Sequence, residues 1–207
     1  MAMTLHPAKG RPQSAWKNGK GVTSELAIFP RDADLETFGW RVSIAEVRES
    51  GPFSNFPGID RLLAVLEGTL ALSIDGAAAV SLSAGTRSIV FAGDVPCMAE
   101  IQDGGGAKDL NVMTRRGQFS SRMSLVIADG PIPILPQACA TLFVALCDLT
   151  LGMERSVVAL KSLDVIFLDE SMTGKERFFC TRSDNRAAGS RNLYVIQLFA
   201  EQPQTSA

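Results

Sequence analysis

The chain is predicted to be all-β and built as two consecutive β units, and three observations carry that prediction. Apolar and polar residues alternate at period two in one segment after another. Turn-forming dipeptides separate those segments. Helical spacing, with apolar residues at i, i+3, i+4 and i+7, is scarce throughout. With 207 residues, 46% of them apolar, the chain is long enough to bury a sizeable core in one large β domain or two small ones.

In chain order, Trp16-Lys17-Asn18-Gly19-Lys20-Gly21 is a loop that leads into a strand from Val22 to Phe29. It lacks the Gly-x4-Gly-Lys-Ser/Thr spacing of a phosphate loop, and no helix follows to present backbone amides. In the next strand Trp40, Val42 and Ile44 share one face and Arg41 and Ser43 the other. Gly51-Pro52-Phe53-Ser54-Asn55-Phe56-Pro57-Gly58 is too rich in turn formers for a regular strand, and its aromatics suit a loop packed over the mouth of a barrel. From Thr69 to Ser83, Leu70, Leu72 and Ile74 alternate with Thr69, Ala71 and Ser73. Asp75-Gly76 then turns the chain towards Val80 and Leu82, a hairpin signal. After Asp103-Gly104-Gly105-Gly106, the residues Asp109, Asn111, Met113 and Arg115 give one face of a strand an unusually polar character.

Leu142 to Leu146, Val157 to Leu160, Val165 to Leu168 and Leu193 to Phe199 continue the pattern to the C-terminus. Pro131, Pro133 and Pro136 mark a connector between the units, because proline is excluded from central strands. A boundary between 118 and 137 is expected, giving an N-terminal unit over 1–117 and a C-terminal unit over 118–207.

Lysine and arginine total 20 against 22 acidic residues, a net charge of -2, which argues against nucleic-acid or anionic-membrane partners. Arginine outnumbers lysine 14 to 6, a bias that suits paired recognition of carboxylate or phosphate but that coding bias also produces. Residues 1–16 hold no signal-like apolar core and no stretch is long enough to span a bilayer, so a cytoplasmic protein is expected. Cys97, Cys139, Cys147 and Cys180 form no Cys-x-x-Cys pair and are expected to be reduced core thiols. His6 is the single histidine, so neither a Ser-His-Asp relay nor a histidine-ligated metal site can be built.

Most glycines follow the frame of the cupin motifs, Gly51 lying two residues out of it, while the metal ligands are missing; glycine spacing alone leaves a generic β-sandwich as the alternative. Counting back from Gly68 puts Arg61 at the position of the metal-ligating glutamate, with Asn55 and Pro57 where two histidines belong. Gly85, Phe91 and Gly93 keep the spacing of the second motif, with Pro96 at its histidine position and Glu100 at its asparagine. Arg61 therefore reverses the charge of the wall, turning a cation site into a candidate anion site. Arg41 and Arg115 are candidates to join it, with Asn18, Asn111, Ser43 and Thr23 as neutral donors and acceptors, and each charge-assisted bond is worth on the order of 1.5–3 kcal/mol where water is excluded. Structural alternatives stand beside these: an Asp60–Arg61 ion pair at a strand start, a solvated Arg115, a core role for Trp16. Glu25, Asp60 and Asp109 are the available general acids or bases.

Several segments together resemble the HutD/Ves family of cupin-like proteins: Trp16-Lys17-Asn18-Gly19 with Gly21, Thr23, Glu25 and Leu26; Trp40 to Ala45; Gly51 to Arg61; Leu66-Glu67-Gly68; Phe91 to Asp94; and Asp109 to Gly117. The resemblance is dense over the first half of the chain. It implies a bicupin, two fused cupin-like barrel units, with the ligand pocket in the first and an accessory or regulatory link to histidine utilisation. The expected pocket comprises Trp16, Asn18, Thr23, Glu25, Arg41, Ser43, Phe53, Asp60, Arg61, Asn111 and Arg115. Its expected ligand is a small anionic metabolite such as urocanate or N-formylglutamate, with no metal and no cofactor. A binding protein is expected, with a metal-free isomerase, hydrolase or lyase as the alternative, and a homodimer is open to a barrel of this kind.

Overall fold

A computed structural model of the chain describes residues 3–16, 19–127, 130–132, 134–135, 137–153, 156–172, 177–182 and 191–201. Among them it forms strands and no helix. In chain order the strands are β1 (Met3–His6), β2 (Ser14–Ala15), β3 (Gly21–Phe29), β4 (Trp40–Val47), β5 (Gly51–Pro52), β6 (Ile59–Glu67), β7 (Thr69–Ile74), β8 (Val80–Ser83), β9 (Ile89–Ala92) and β10 (Cys97–Ile101). There follow β11 (Ala107–Arg115), β12 (Phe119–Ile127), β13 (Gly130–Ile132), β14 (Ala140–Ala145), β15 (Leu149–Met153), β16 (Ser156–Leu160), β17 (Val165–Asp169), β18 (Phe178–Arg182) and β19 (Arg191–Ala200).

Two compact units result, one of Pro12–Ser120 with Glu201 and one of Met1–Arg11 with Ser121–Ala200. In the first, a six-stranded sheet ordered β2-β3-β4-β11-β6-β9 accompanies a four-stranded sheet ordered β5-β10-β7-β8. Both sheets feed one core: Val47, Leu63 and Val65 from the larger meet Leu70, Leu72, Leu82 and Ala99 from the smaller. Each such buried aliphatic side chain contributes roughly 1.5–3 kcal/mol. The period-two pattern is what allows this, since it puts every second side chain of a strand on the inner face.

The second unit repeats the arrangement with a five-stranded sheet, β1-β17-β14-β19-β12, and a four-stranded sheet, β13-β18-β15-β16. Its core joins Phe143, Ile166, Leu168 and Val195 to Leu149, Leu151, Phe178 and Cys180, with Phe143 and Phe178 in ring contact at 5.2 Å. The four sheets are open at their edges, so the description that holds is two units of paired antiparallel sheets. All four cysteines are free thiols, and Cys97, Cys147 and Cys180 are buried. No helix among the described residues is long and apolar enough to cross a membrane.

Three expectations need adjusting. The first strand, β1, pairs with β17 (Leu5 opposite Ile166), so the chain's beginning joins the second unit and not residues 12–117. Asp164 fastens it there by accepting the Ala8 amide at 2.7 Å, a contact at sequence separation no local pattern can signal. The stretch expected as a connector contains the nine-residue strand β12, whose side chains are mostly half-buried and so carry serines on a packed strand. Pro131 lies in β13, an edge strand, where the missing N–H costs no ladder bond. The Asp75-Gly76 turn forms as expected, both residues in the left-handed region at φ 51 and 72.

At the β6–β7 corner Gly68 takes φ +73, and a Cβ there would meet the Gly106 carbonyl oxygen at 2.5 Å. Both the backbone conformation and the close approach demand glycine. Gly68→Ala is expected to lower stability by roughly 1–3 kcal/mol. Urea denaturation measures this, and an unchanged midpoint would contradict the close approach.

Candidate functional site

The inner face of the six-stranded sheet supplies the site through its register. Thr23 stands opposite Ala45 and Glu25 opposite Ser43 across β3 and β4. Across β4 and β11, Ser43 faces Asn111 and Arg41 faces Met113. Met113 in turn faces Arg61 on β6, and Arg61 faces Phe91 on β9. The polar face of β11 is thus one strip of a continuous polar patch, laid between a pure hydrocarbon core and the loop at 53–56.

Thr23, Arg41, Ser43, Ala45, Arg61, Asn111 and Met113 line a cavity of about 530 Å³ together with Ser14, Trp16, Leu35, Phe53, Ser54, Asn55, Phe56 and Asp109. Arg61 lies deep in its wall, only 5% exposed. Its guanidinium sits 5.1 Å from the ring centre of Phe53, 5.9 Å from Phe56 and 5.0 Å from Phe91, within cation–π range. Arg41 is nearer solvent and its Nε donates to Glu25 Oε2 at 2.8 Å. Trp16 Nε1 donates to Thr23 Oγ1 at 2.7 Å, which fixes the indole at the cavity edge while its ring packs on the core.

Three polar atoms of this wall are shielded from solvent and have no hydrogen-bond partner: Arg61 Nε, Asp109 Oδ1 and Asn111 Oδ1. An unsatisfied buried polar atom costs about 1–3 kcal/mol, more for a charged group. Burial pushes the Asp109 carboxyl up to about 7, against the opposing pull of Arg61. Burial likewise lowers Arg61, with Asp109 and Cys97 opposing it and Arg41 adding to it. The Cys97 thiol is raised by burial, with Arg61 opposing. Asp109 is therefore a carboxyl that exchanges its proton near neutrality, within the field of a buried guanidinium.

Of the residues expected from sequence, Trp16, Thr23, Arg41, Ser43, Phe53, Arg61 and Asn111 come together around this cavity. Glu25 reaches it through Arg41, and Asn18 lies outside the described residues. Asp60 and Arg115 are placed elsewhere. Asp60, one residue from Arg61, points to the opposite face of β6 and pairs with Arg116 at 2.7 Å, so the alternative of an Asp60–Arg61 pair is replaced. Arg115 spends its guanidinium on the carbonyls of Phe38 and Glu36, at 2.9 and 2.7 Å. Leu35 and Met113 were not expected in the wall, and Phe56 was expected only as part of an aromatic loop over the mouth. Asp109 was legible only as an acid or base candidate, although its parity with Asn111 already put it on the same face.

A cupin-type metal does not fit these residues. Asn55 and Arg61 do line the cavity, but Arg61 puts a guanidinium where a metal cupin has a ligating carboxylate, and Asp109 is the one carboxylate among the described lining residues. Among the described residues no group of three histidine, cysteine, aspartate or glutamate side chains is arranged to hold a metal ion.

Comparisons with known proteins bear on this site. A family model described as HutD matches residues 8–184. Protein Ves of Cronobacter sakazakii is 34% identical over 121 residues, covering 58% of this chain and 65% of that protein. An uncharacterized 21.2 kDa protein in the hutC 3′ region of Pseudomonas putida is 34% identical over 124 residues, 58% of this chain and 63% of that protein. The matched stretch thus spans less than two thirds of either relative. Among solved structures, HutD from Pseudomonas fluorescens SBW25 superposes with a TM-score of 0.79 at 25% identity, over 97% of this chain and 100% of that one. A cupin 2 conserved barrel domain protein from Leptotrichia buccalis gives 0.58 at 8% identity over 97% and 98%, a likeness of fold alone that makes the architecture cupin-like.

The raised Asp109 carboxyl makes stability depend on pH. Its folded value, about 7, lies above the unfolded value of about 3.9. Its contribution to stability is therefore fully present below about pH 4 and lost as pH rises through about 7. Relative to the parent, Asp109→Asn is expected to gain stability as pH is raised from 4 to 8, measured by urea denaturation at each pH. A difference independent of pH would contradict the buried titration.

Proposed function

The chain belongs to the HutD family, and from that premise we propose that its first unit binds a small carboxylate metabolite as an accessory or regulatory component of histidine utilisation. The finer architecture belongs to the same proposal, a bicupin of two fused barrel units in which the unit built on Pro12–Ser120 keeps the pocket. The observation that carries the reading is Arg61, a guanidinium buried among three phenyl rings with no ion pair among the described residues. Asp109, the carboxyl nearest to balancing it, is itself pushed up to about 7 by burial, and an incompletely balanced buried charge is strongly unfavourable; a ligand carboxylate completes the balance. The family name and the hutC-region relative support the histidine context, in which urocanate and N-formylglutamate are candidate ligands.

The carboxylate accepts from the planar fork of Arg61 and from the Ser43 hydroxyl, with the Asn111 carboxamide beside it. Protonated Asp109 donates its O–H to a carboxylate oxygen. The remaining body of the ligand lies against Trp16, Phe53 and Phe56. Arg41 and Glu25, paired nearer solvent, form a polar rim that orients the distal end.

One observation favours a second reading, a metal-free isomerase, hydrolase or lyase acting on the same acids. A carboxyl titrating at about 7 is tuned for proton transfer at neutral pH. NMR of the intact protein incubated with each acid separates the two, since sustained turnover belongs to an enzyme and saturable binding alone to a binding protein.

Calorimetric titration with urocanate and N-formylglutamate is expected to give saturable binding to at least one. Arg61→Ala should weaken it by roughly 1.5–3 kcal/mol, tenfold or more. Binding that is unaltered in Arg61→Ala refutes the reading. Affinity for the anion should also fall as pH rises through about 7, because ionised Asp109 repels it, and Asp109→Asn should flatten that dependence. A profile of the same slope in Asp109→Asn would remove Asp109 from the contact.

A further inference from the structure

We propose that Arg115 and Arg116, adjacent at the end of β11, are positioning residues that brace the two loops bounding the pocket, Arg115 holding 34–38 and Arg116 holding 53–58. Neither arginine lines the cavity; each acts through a loop that does.

Arg115 is the last residue of β11 and Arg116 the first of the turn that follows, and the two side chains reach different segments. Arg115 Nε donates to the Phe38 carbonyl at 2.9 Å and Nη2 to the Glu36 carbonyl at 2.7 Å. Its own amide donates to the Gly39 carbonyl at 2.7 Å, and its guanidinium lies 5.8 Å from the Phe38 ring centre. Within that loop Asp34 Oδ1 accepts from the Glu36 and Thr37 amides, both at 2.9 Å. The whole turn, including Leu35 in the cavity wall, is therefore one fastened piece.

Arg116 does the corresponding work on the other loop. Its Nε donates to Asp60 Oδ1 at 2.8 Å and Nη1 to Asp94 Oδ2 at 2.7 Å, and its amide donates to the Gly58 carbonyl at 2.9 Å. The second oxygen of Asp94 accepts the Gly58 amide, and the Asp94 carbonyl accepts Asn55 Nδ2 at 3.0 Å. The Phe56 amide donates to the Gly93 carbonyl at 2.8 Å. A Cβ at Gly93 would come within 2.8 Å of the Phe56 carbonyl oxygen and 2.9 Å of that of Ile59, so the loop rests directly on this backbone. That loop carries Phe53 and Phe56, two of the rings around Arg61.

Arginine is suited to both positions because one planar fork satisfies two acceptors at once, which a lysine ammonium on its flexible stem does less well. For its effect on affinity the inference rests on the carboxylate-binding reading above; for the order of the loops it does not.

The test is site-resolved amide hydrogen exchange by NMR on the full chain, comparing the parent with Arg115→Gln, Arg116→Gln, Arg116→Lys and Asp94→Asn. Exchange at Phe56 and Gly58 is expected to quicken roughly tenfold in Arg116→Gln with Thr37 and Phe38 unchanged, and the reverse in Arg115→Gln. Asp94→Asn should reproduce the Arg116→Gln pattern, and Arg116→Lys should restore protection in part. Titration of the same variants with urocanate and N-formylglutamate should show faster dissociation for both glutamine variants. Protection lost evenly in both loops together with a lower Tm would reduce the pair to general stability and overturn the proposal, as would unchanged exchange in either loop. If the parent binds neither acid, the carboxylate reading fails while the exchange pattern still decides the brace.

Discussion

A buried guanidinium organises the first unit. Arg61 lies in the wall of a cavity, ringed by Phe53, Phe56 and Phe91, and its field reaches Asp109 in the same wall, whose carboxyl burial pushes up to about 7. In water the two would ionise fully and pair cheaply. Withdrawn from water, each loses hydration that the other does not replace, because Arg61 Nε and Asp109 Oδ1 remain without partners. The surrounding structure has to hold this unfavourable arrangement in place. It does so with rings that tolerate a cation, with strands whose register leaves the arginine no alternative direction, and with loops tied down at their ends.

The register explains how a sheet built to bury hydrocarbon also presents a polar patch. Along β6, Arg61 shares its face with Leu63 and Val65, which belong to the core. Along β11, Asp109 and Asn111 share theirs with Met113. Asn111 lies opposite Leu63 and Asp109 opposite Val65, so polar and apolar side chains meet across neighbouring strands of one face, and the polar ones line the cavity left by the loop at 53–56 and the edge residues Ser14 and Trp16. The fold is cupin-like, yet the position that a metal cupin gives to a ligating carboxylate holds a cation here. The charge of that position is thereby reversed with no change of topology, which is the ground for the anion-binding proposal.

The loops at the mouth show how far the site depends on residues outside it. Leu35, Phe53 and Phe56 reach the cavity from segments without regular structure, and each segment is tied to β11 at its last residue or the one after it. Arg115 looks like a ligand arginine by strand parity. Its guanidinium is instead taken up by two carbonyls, because at a strand end the adjacent chain offers acceptors closer than the pocket does.

The all-β class, the hairpin at Asp75-Gly76, the lack of histidine ligands, the common face of Arg41 and Ser43 and that of Asp109 and Asn111 were legible in the amino-acid sequence, since alternation and turn chemistry act over a few residues. The densely matching segments also brought out the family. Tertiary structure alone decided that Met3–His6 joins the second unit through Leu5 opposite Ile166, that 119–127 is a strand, that Asp60 turns away from Arg61 to Arg116, and that Asp109 is buried enough to hold its proton near neutrality. Each of these depends on a partner far along the chain. Period-two patterning states which residues share a face, whereas packing determines what that face meets and how much water remains there.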